Sequence, residues 1–175
     1  MSVIEINYNS GQYSDFSNQA RYPIKIEGKI WPTAEHYYQA MKFYIGDPKF
    51  AETIRLEKNV LTAISMGEIS MGFASTKSET WDEDKDEVLY NVLYEKFTQH
   101  PKLKKMLLET GDSYLQSTTR REQYNTGDII MKIREKLKTN KKTKIEELVD
   151  KITEPYLSPD GYELDENGFV EVKFE

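Results

Sequence analysis

The sequence contains no cysteine and only two histidines in 175 residues. The lack of cysteine excludes disulfide bonds, thiolate zinc sites and a cysteine nucleophile. A zinc site made of protein side chains would have to be completed by carboxylates, because two histidines cannot fill four ligand positions. We therefore expect neither a metal nor another cofactor.

Long apolar stretches are also missing, and no run approaches the roughly 18 residues that a membrane-spanning helix requires. The N-terminal segment shows no basic region followed by an apolar one, so no secretory signal is expected. These two absences predict a cytoplasmic protein that has no membrane partner.

Negative charge is in excess, with a net charge of −6, but it is unevenly placed. Residues 139–175 hold five lysines and ten acidic residues, whereas the 138 residues before them hold 19 basic and 20 acidic ones. No basic block indicates sequence-independent binding to nucleic acid. A local phosphate site remains compatible with this composition, because a total charge does not describe its distribution.

The pattern along the chain predicts a mostly helical α+β domain over residues 1–138 and an acidic extension over residues 139–175. Alternating apolar residues predict strands at 3–8 and 22–31, with a hairpin turn at Glu27-Gly28, and a short strand from Tyr114. Caps and helical periodicity predict further helices, which begin after Thr33, Asp47, Asn59, Thr80 and Pro101 and near Ile129. Gly67 to Ser78 reads as a loop. The extension is predicted to form a helix and a terminal hairpin, which would either mediate dimerisation or cover the domain.

The segment from Trp31 to Phe43 concentrates aromatic, acidic, imidazole, amide and amine groups on one predicted helix. Thr33 is suited to cap its first turn, as is Thr80 with Glu83 for a later helix. An apolar stripe faces the core, formed by Ala34, Tyr37, Tyr38, Met41 and Ile45. Glu35, Gln39 and Lys42 form a second stripe beside it. The ordinary interpretation of Glu35 is an acid stabilised by the helix dipole, and the alternative is a catalytic carboxylate.

Several segments follow the pattern of one family in order. They are Phe16-Ser17-Asn18, Pro23-Ile24, Gly28, the Trp31–Phe43 segment, Ile54-Arg55, Trp81-Asp82, Lys96-Phe97, Thr110-Gly111-Asp112 and Ile133-Arg134. Over roughly residues 5–137 the chain closely resembles the NADAR family, the YbiA-like N-glycosidases also known as DUF1768. The resemblance implies a compact, mostly helical α+β fold with a small β-sheet.

The resemblance also implies a function. Members of the family cleave the N-glycosidic bond of riboflavin-pathway intermediates or remove ADP-ribose from modified guanine in nucleic acid. This chain is therefore expected to be an N-glycosidase. Its partner would be an ADP-ribose-type or ribosyl-phosphate small molecule, or an ADP-ribosylated nucleobase in nucleic acid such as DNA.

Glu35 and Trp81 match family positions tied to activity. Breaking a ribosyl C–N bond develops positive charge at C1′, which an adjacent carboxylate stabilises. Glu35 is expected either to be that carboxylate or to act as the general base. Trp81 offers a flat face for a base or ribose, or else belongs to the core. The substrate-binding residues predicted beside them are Phe16, Ser17, Asn18, Tyr38, Gln39, Lys42, Arg55 and Asp82. For Lys42 and Arg55 the alternative is an ion pair with a neighbouring acid, and for Asp82 a helix-dipole role.

The chain departs from the family after Leu115, where a Glu, an Asp and a Trp-Gly pair are usual. Here Ser117 occupies the position of the Glu, and Glu122 that of the Asp, with Tyr124-Asn125 near the Trp-Gly position. Glu122 is the remaining candidate for a second catalytic carboxylate, although catalytic geometry tolerates little displacement. The alternative function is therefore a catalytically impaired protein that binds ADP-ribose or a nucleotide and sequesters that signal. A structural or interaction module is a third alternative.

Overall fold

Helices and short strands alternate along the chain in a computed structural model that describes residues 2–7, 11–69, 77–117 and 126–139. Six α-helices lie within these residues: α1 Ala34–Met41, α2 Pro48–Leu56, α3 Val60–Ile69, α4 Trp81–Gln99, α5 Pro101–Glu109 and α6 Thr126–Thr139. The strands there are β1 Val3–Ile6, β2 Ile24–Ile26, β3 Lys29–Trp31 and β4 Tyr114–Ser117, and a 3₁₀ turn covers Ser14–Phe16. The α+β prediction is confirmed.

The four strands form two small sheets. β2 and β3 pair antiparallel, and their turn has positive φ at both Glu27 (50°) and Gly28 (78°), as a two-residue hairpin requires. This confirms the predicted hairpin. β1 pairs parallel with β4, with Val3 opposite Tyr114 and Ile6 opposite Ser117.

Helix α4 is central to the main core. Its inward residues Leu89, Val92, Leu93 and Phe97 are completely buried, and they pack with residues from the β1–β4 sheet and from α5 and α6. A second apolar cluster joins α1, α2 and α3. Helix α1 contacts both α3 and α4, so residues on two of its faces are removed from water.

Helix α1 is shorter than the apolar stripe suggested. It ends at Met41, and the next amides bond three residues back, Phe43 N to Ala40 O at 3.0 Å and Tyr44 N to Met41 O at 3.4 Å. This tighter turn breaks the helical register. Ile45 is consequently 78% exposed, and its assignment to the core was wrong.

Two further local predictions were also wrong. Thr80 makes no side-chain cap to α4, because its hydroxyl donates to the carboxylate of Asp84 instead. Gly67 does not begin a loop but lies within α3, where the absence of a side chain allows α3 to approach Gln39 of α1.

Among the described residues, no helix combines the length and apolar character needed to cross a membrane. The predicted helix and hairpin of the C-terminal extension lie outside the described residues, apart from Thr139, which ends α6.

Candidate active site on helix α1

The first turn of α1 is held by a side-chain network. Thr33 Oγ1 accepts a hydrogen bond from His36 N at 3.2 Å and lies 2.8 Å from His36 Nδ1. His36 Nε2 lies 3.1 Å from the carbonyl of Glu57 and must donate to it, since a carbonyl only accepts. Burial lowers the pKa of His36 and so favours the neutral ring, in which Nδ1 accepts from the Thr33 hydroxyl while Nε2 donates. His36 therefore ties α1 to the end of α2.

Glu35 follows this cap in the sequence and is buried, with 3% of its surface exposed. Its backbone amide donates to the carbonyl of Asn18 at 3.0 Å, and its Oε1 accepts from Gln39 Nε2 at 2.6 Å. A buried carboxylate needs such donors, because burial without them costs several kcal/mol. The helix dipole alone does not explain an acid held in this way, since that effect also operates for exposed acids.

Lys42, at the end of the same stripe, contributes a positive charge beside Glu35. Burial lowers the pKa of the Lys42 amine, whereas the attraction of Glu35 and Glu68 opposes that shift. The Nζ atom lies 5.7 Å from the ring centre of Tyr38 and 6.0 Å from that of Trp81. The structure thus brings together an acid, an amine and two aromatic rings.

Trp81 and Tyr38 form the aromatic side of this cluster. Their ring centres lie 4.9 Å apart in an edge-to-face arrangement, and both side chains are buried. Trp81 also lines a cavity of about 310 Å³, together with Met41, Tyr44 and Val88. Trp81 is therefore both a core residue and a wall of a space that can admit a ligand group.

The loop that contains Ser17 and Asn18 is fixed by a residue that the sequence reasoning missed. Lys96 of α4 is completely buried, and its Nζ donates to the carbonyls of Asp15 and Ser17, both at 2.7 Å. The backbone carbonyl of Asn18, the next residue, accepts a hydrogen bond from the Glu35 backbone amide. Its burial could have been predicted from its position in the sequence. Lys96 comes three residues after Leu93 and four after Val92, which places it on the apolar stripe of α4.

Two amide side chains in this region have unused hydrogen-bonding capacity. Neither polar atom of the buried Asn18 amide has a partner among the described residues, and Gln39 Oε1 has none there either. Buried polar groups are ordinarily satisfied, so an unpaired amide beside a buried acid is consistent with a place for a substrate hydroxyl.

The remaining predicted site residues lie elsewhere. Phe16 packs edge-to-face against Phe97 in the core, 5.3 Å between ring centres. Arg55 pairs with Glu52, with Nε to Oε2 at 3.0 Å, and also donates to the carbonyl of Ile30 at 2.8 Å. That pairing holds the pKa of the Glu52 carboxyl down to about 2. Exposed Asp82 bonds to Lys77 at 3.1 Å.

These placements bring Asn18, Tyr38, Gln39, Lys42 and Trp81 into one region around Glu35. Ser17 precedes Asn18 and contacts Lys96, and Phe16, Arg55 and Asp82 make their contacts outside this region. Glu122 lies outside the described residues. Within the part of the chain that the structure describes, no group of three or more His, Asp or Glu side chains is arranged to hold a metal ion.

Comparison with known proteins now identifies the family. The model of the NADAR domain matches residues 6–126. The chain belongs to the NADAR family. The chain is 34% identical to the N-glycosidase YbiA of Escherichia coli over 151 residues, which cover 80% of this chain and 91% of that relative.

Two further relatives match this chain over shorter parts of its length. An N-glycosidase of Nostoc punctiforme is 35% identical over 59% of this chain and 65% of its own length. A riboflavin biosynthesis protein of Vibrio vulnificus is 28% identical over 73% of this chain, which matches 36% of that longer NADAR relative.

The solved NMR structure of Escherichia coli YbiA confirms the NADAR fold for this chain. It superposes with a TM-score of 0.70 at 34% sequence identity, and the match covers 84% of this chain and 88% of that one. The arrangement of α1 and its neighbours is therefore that of a NADAR domain.

Proposed function

We propose that this chain hydrolyses the N-glycosidic bond between a base and a phosphorylated ribose, in an ADP-ribosyl or ribosyl-phosphate compound. The observation that carries the proposal is the buried Glu35 carboxylate, oriented by Gln39 and placed beside Lys42 and the Tyr38–Trp81 pair. The N-glycosidase relatives support a hydrolase of N-glycosyl compounds, and the riboflavin-biosynthesis relative supports a ribosyl-type small-molecule substrate.

The chemistry requires separation of the ribosyl C1′ from the base nitrogen. The electrons of the C1′–N bond leave with the base, and positive charge develops at C1′ and the ring oxygen. Water then adds its hydroxyl to C1′, and its proton ends on the departing base. The Glu35 carboxylate either stabilises the charge at C1′ or receives the proton of the water and passes it on.

The other residues of the cluster orient the substrate in this proposal. Asn18 offers an unpaired amide for ribose hydroxyls, and Trp81 with Tyr38 provides an aromatic surface beside the base or sugar. Lys42, which interacts with Glu35 through its charge, offers its amine to a phosphate oxygen of the substrate.

Glu35 is tested by base release from ribosylated pyrimidine phosphates, NAD, ADP-ribose conjugates and ADP-ribosylated DNA, measured by chromatography. We expect release from at least one class and a fall on the order of 10²- to 10⁴-fold in Glu35→Gln. Glu83→Gln is the matched control, because Glu83 is also an acid in a first helical turn but is exposed. It should retain full activity.

The second candidate function is sequestration of an ADP-ribose or nucleotide signal, and it is favoured by Ser117 at the end of β4, which cannot ionise. Binding of one of these compounds without base release in the parent protein would establish that function instead. If the parent chain neither binds any of these compounds nor releases a base from them, both candidate functions are contradicted.

A further inference from the structure

A second cleft, of about 290 Å³, lies where the residues after Asn18 meet the starts of α1 and α3. Its walls include Gln19 and His36, which follow Asn18 and Glu35 in the sequence. Asn18 and Glu35 thus belong to the Glu35 cluster, whereas the next residue after each of them, Gln19 and His36, lines this neighbouring cleft. No step of the proposed hydrolysis uses the cleft.

The rim of the cleft is positively charged although the chain as a whole carries −6. Arg21 and Lys58 line it, both are exposed, and no Asp or Glu belongs to the lining. Arg21 and His36 line the same cleft, and after burial the Arg21 charge is a smaller cause of the lowered pKa of His36. Neither cation forms an ion pair within the described ranges of the chain, although the Glu57 carboxylate beside the cleft attracts Lys58. Two such cations favour a ligand with a double negative charge.

Gln19 forms part of the cleft wall. Gln19 is only 6% exposed, and its side chain makes no hydrogen bond to another residue of the described segments. The other polar walls are occupied, since Thr33 and His36 bond to each other. An amide presents both a donor and an acceptor, which suits the hydroxyl groups of a sugar.

The start of α3 does not provide the anion site by itself. The Glu57 carboxylate accepts from the amides of Lys58 at 2.7 Å and Asn59 at 3.0 Å. Asn59 Oδ1 in turn accepts from the amide of Leu61 at 2.8 Å. With these backbone amides taken, the charged groups that line the cleft and can hold an anion are the Arg21 and Lys58 side chains.

We propose that this cleft binds a sugar monophosphate group, with the phosphate between Arg21 and Lys58 and the sugar hydroxyls on the Gln19 amide. Val60 and Leu61 supply an apolar wall for the sugar carbons. The volume is near the lower end of ligand pockets, roughly 300 Å³, and therefore suits one phosphorylated sugar rather than a dinucleotide. The phosphate belongs either to the substrate of the Glu35 site or to a separate sugar phosphate.

The test is an amide NMR titration of the full chain with ribose 5-phosphate at low salt, where surface charge is least screened. The Gln19 side-chain amide and the backbone amides of residues 58–61 should shift. Arg21→Gln and Lys58→Gln should each raise the dissociation constant by about tenfold, the size of one charge-assisted hydrogen bond. Lys49→Gln is the control, since Lys49 is an exposed cation outside the cleft lining.

Absence of shifts at the cleft, equal shifts with unphosphorylated ribose, or equal weakening by Lys49→Gln would each overturn the proposal. Binding is measured without turnover, so the result is independent of the proposed hydrolysis. A second titration uses the Glu35→Gln chain and a ribosylated pyrimidine phosphate. Shifts of the same resonances assign the phosphate to the substrate, whereas shifts with ribose 5-phosphate alone assign a separate ligand.

Discussion

Three polar side chains that a helical wheel places beside the apolar stripe are themselves buried, namely Glu35 and Gln39 of α1 and Lys42 at its C-cap. Their burial is possible because each interacts with another group: Gln39 bonds to Glu35, and Lys42 attracts Glu35 while lying near two aromatic rings. Polar groups at this depth are usually either fully paired or used in function. The unpaired amide of Asn18 nearby favours function.

His36 should make stability depend on pH in a defined direction. Because burial lowers the pKa of His36 below its ordinary value of 6.5, the unfolded chain binds a proton more readily than the folded one. The stabilisation from neutral His36 is complete above that ordinary value and is lost as the pH falls towards the folded pKa. The urea concentration at the unfolding midpoint should therefore decrease as the pH is lowered from about 7.5 to about 5.5.

The control for this prediction separates the two histidines. His36→Gln should reduce the urea midpoint at the higher pH and flatten its dependence on pH. His100→Gln, which leaves the buried ring in place, should keep the slope of the parent. An unchanged slope in His36→Gln would show that another group causes the pH dependence.

The elements were predictable from sequence to the extent that local chemistry determines them. Thr33 and Asp47 cap helices as expected, with Asp47 Oδ1 accepting from Phe50 N at 2.9 Å, and the hairpin turn follows from Glu27-Gly28. The role of Lys96 was not predictable, because its acceptors Asp15 and Ser17 lie about 80 residues away in sequence. Glu35 was identified from its family segment, whereas its depth depends on the packing of α3 and α4 around α1.

The contact between α1 and α3 constrains Gln39. A Cβ atom at Gly67 would lie only 1.9 Å from Gln39 Oε1, so Gly67→Ala must displace the Gln39 amide from its place beside Glu35. We expect base release to fall by about tenfold, as for loss of an orienting hydrogen bond.

A double-mutant cycle provides the control for Gly67. Gln39→Ala should lower base release by a similar factor, and the combination with Gly67→Ala should add little, because both act on one group. Additive losses would show that Gly67 acts on a different part of the site.

Helix α4 positions the Ser17–Asn18 loop through Lys96, and Lys96→Met tests this role. Methionine retains the apolar stem but leaves the carbonyls of Asp15 and Ser17 without their donor. Removing a buried charge offsets part of that loss, so the free energy of unfolding should fall by about 2 kcal/mol. Base release should fall as well. The control is Lys102→Met at an exposed lysine, which should change neither quantity. If Lys96→Met releases base at the rate of the parent chain, the Ser17–Asn18 loop has no part in catalysis.

At the scale of the whole molecule, the described part of the chain has its own core and both small sheets before residue 140. Residues up to Thr139 cluster as one compact unit, and the NADAR match ends at residue 126. The acidic residues that give the chain its negative charge are concentrated after this unit.

A chain shortened after Thr139 should therefore fold and remain active. We expect its thermal midpoint to stay within about 4 °C of the parent, a change of less than roughly 1 kcal/mol, and base release to be retained. Calorimetry and the chromatographic assay measure the two quantities. A large loss of either would show that residues 140–175 take part in the fold or the site.

The parallel pairing of β1 with β4 has a consequence for synthesis of the protein. Val3–Ile6 is synthesised well before its partner Tyr114–Ser117, which is made more than 100 residues later. At a typical elongation rate this interval is on the order of 10 s. Throughout that time the apolar edge of β1 has no strand to pair with, and nascent chains stalled before Tyr114 should depend on chaperones to remain unaggregated.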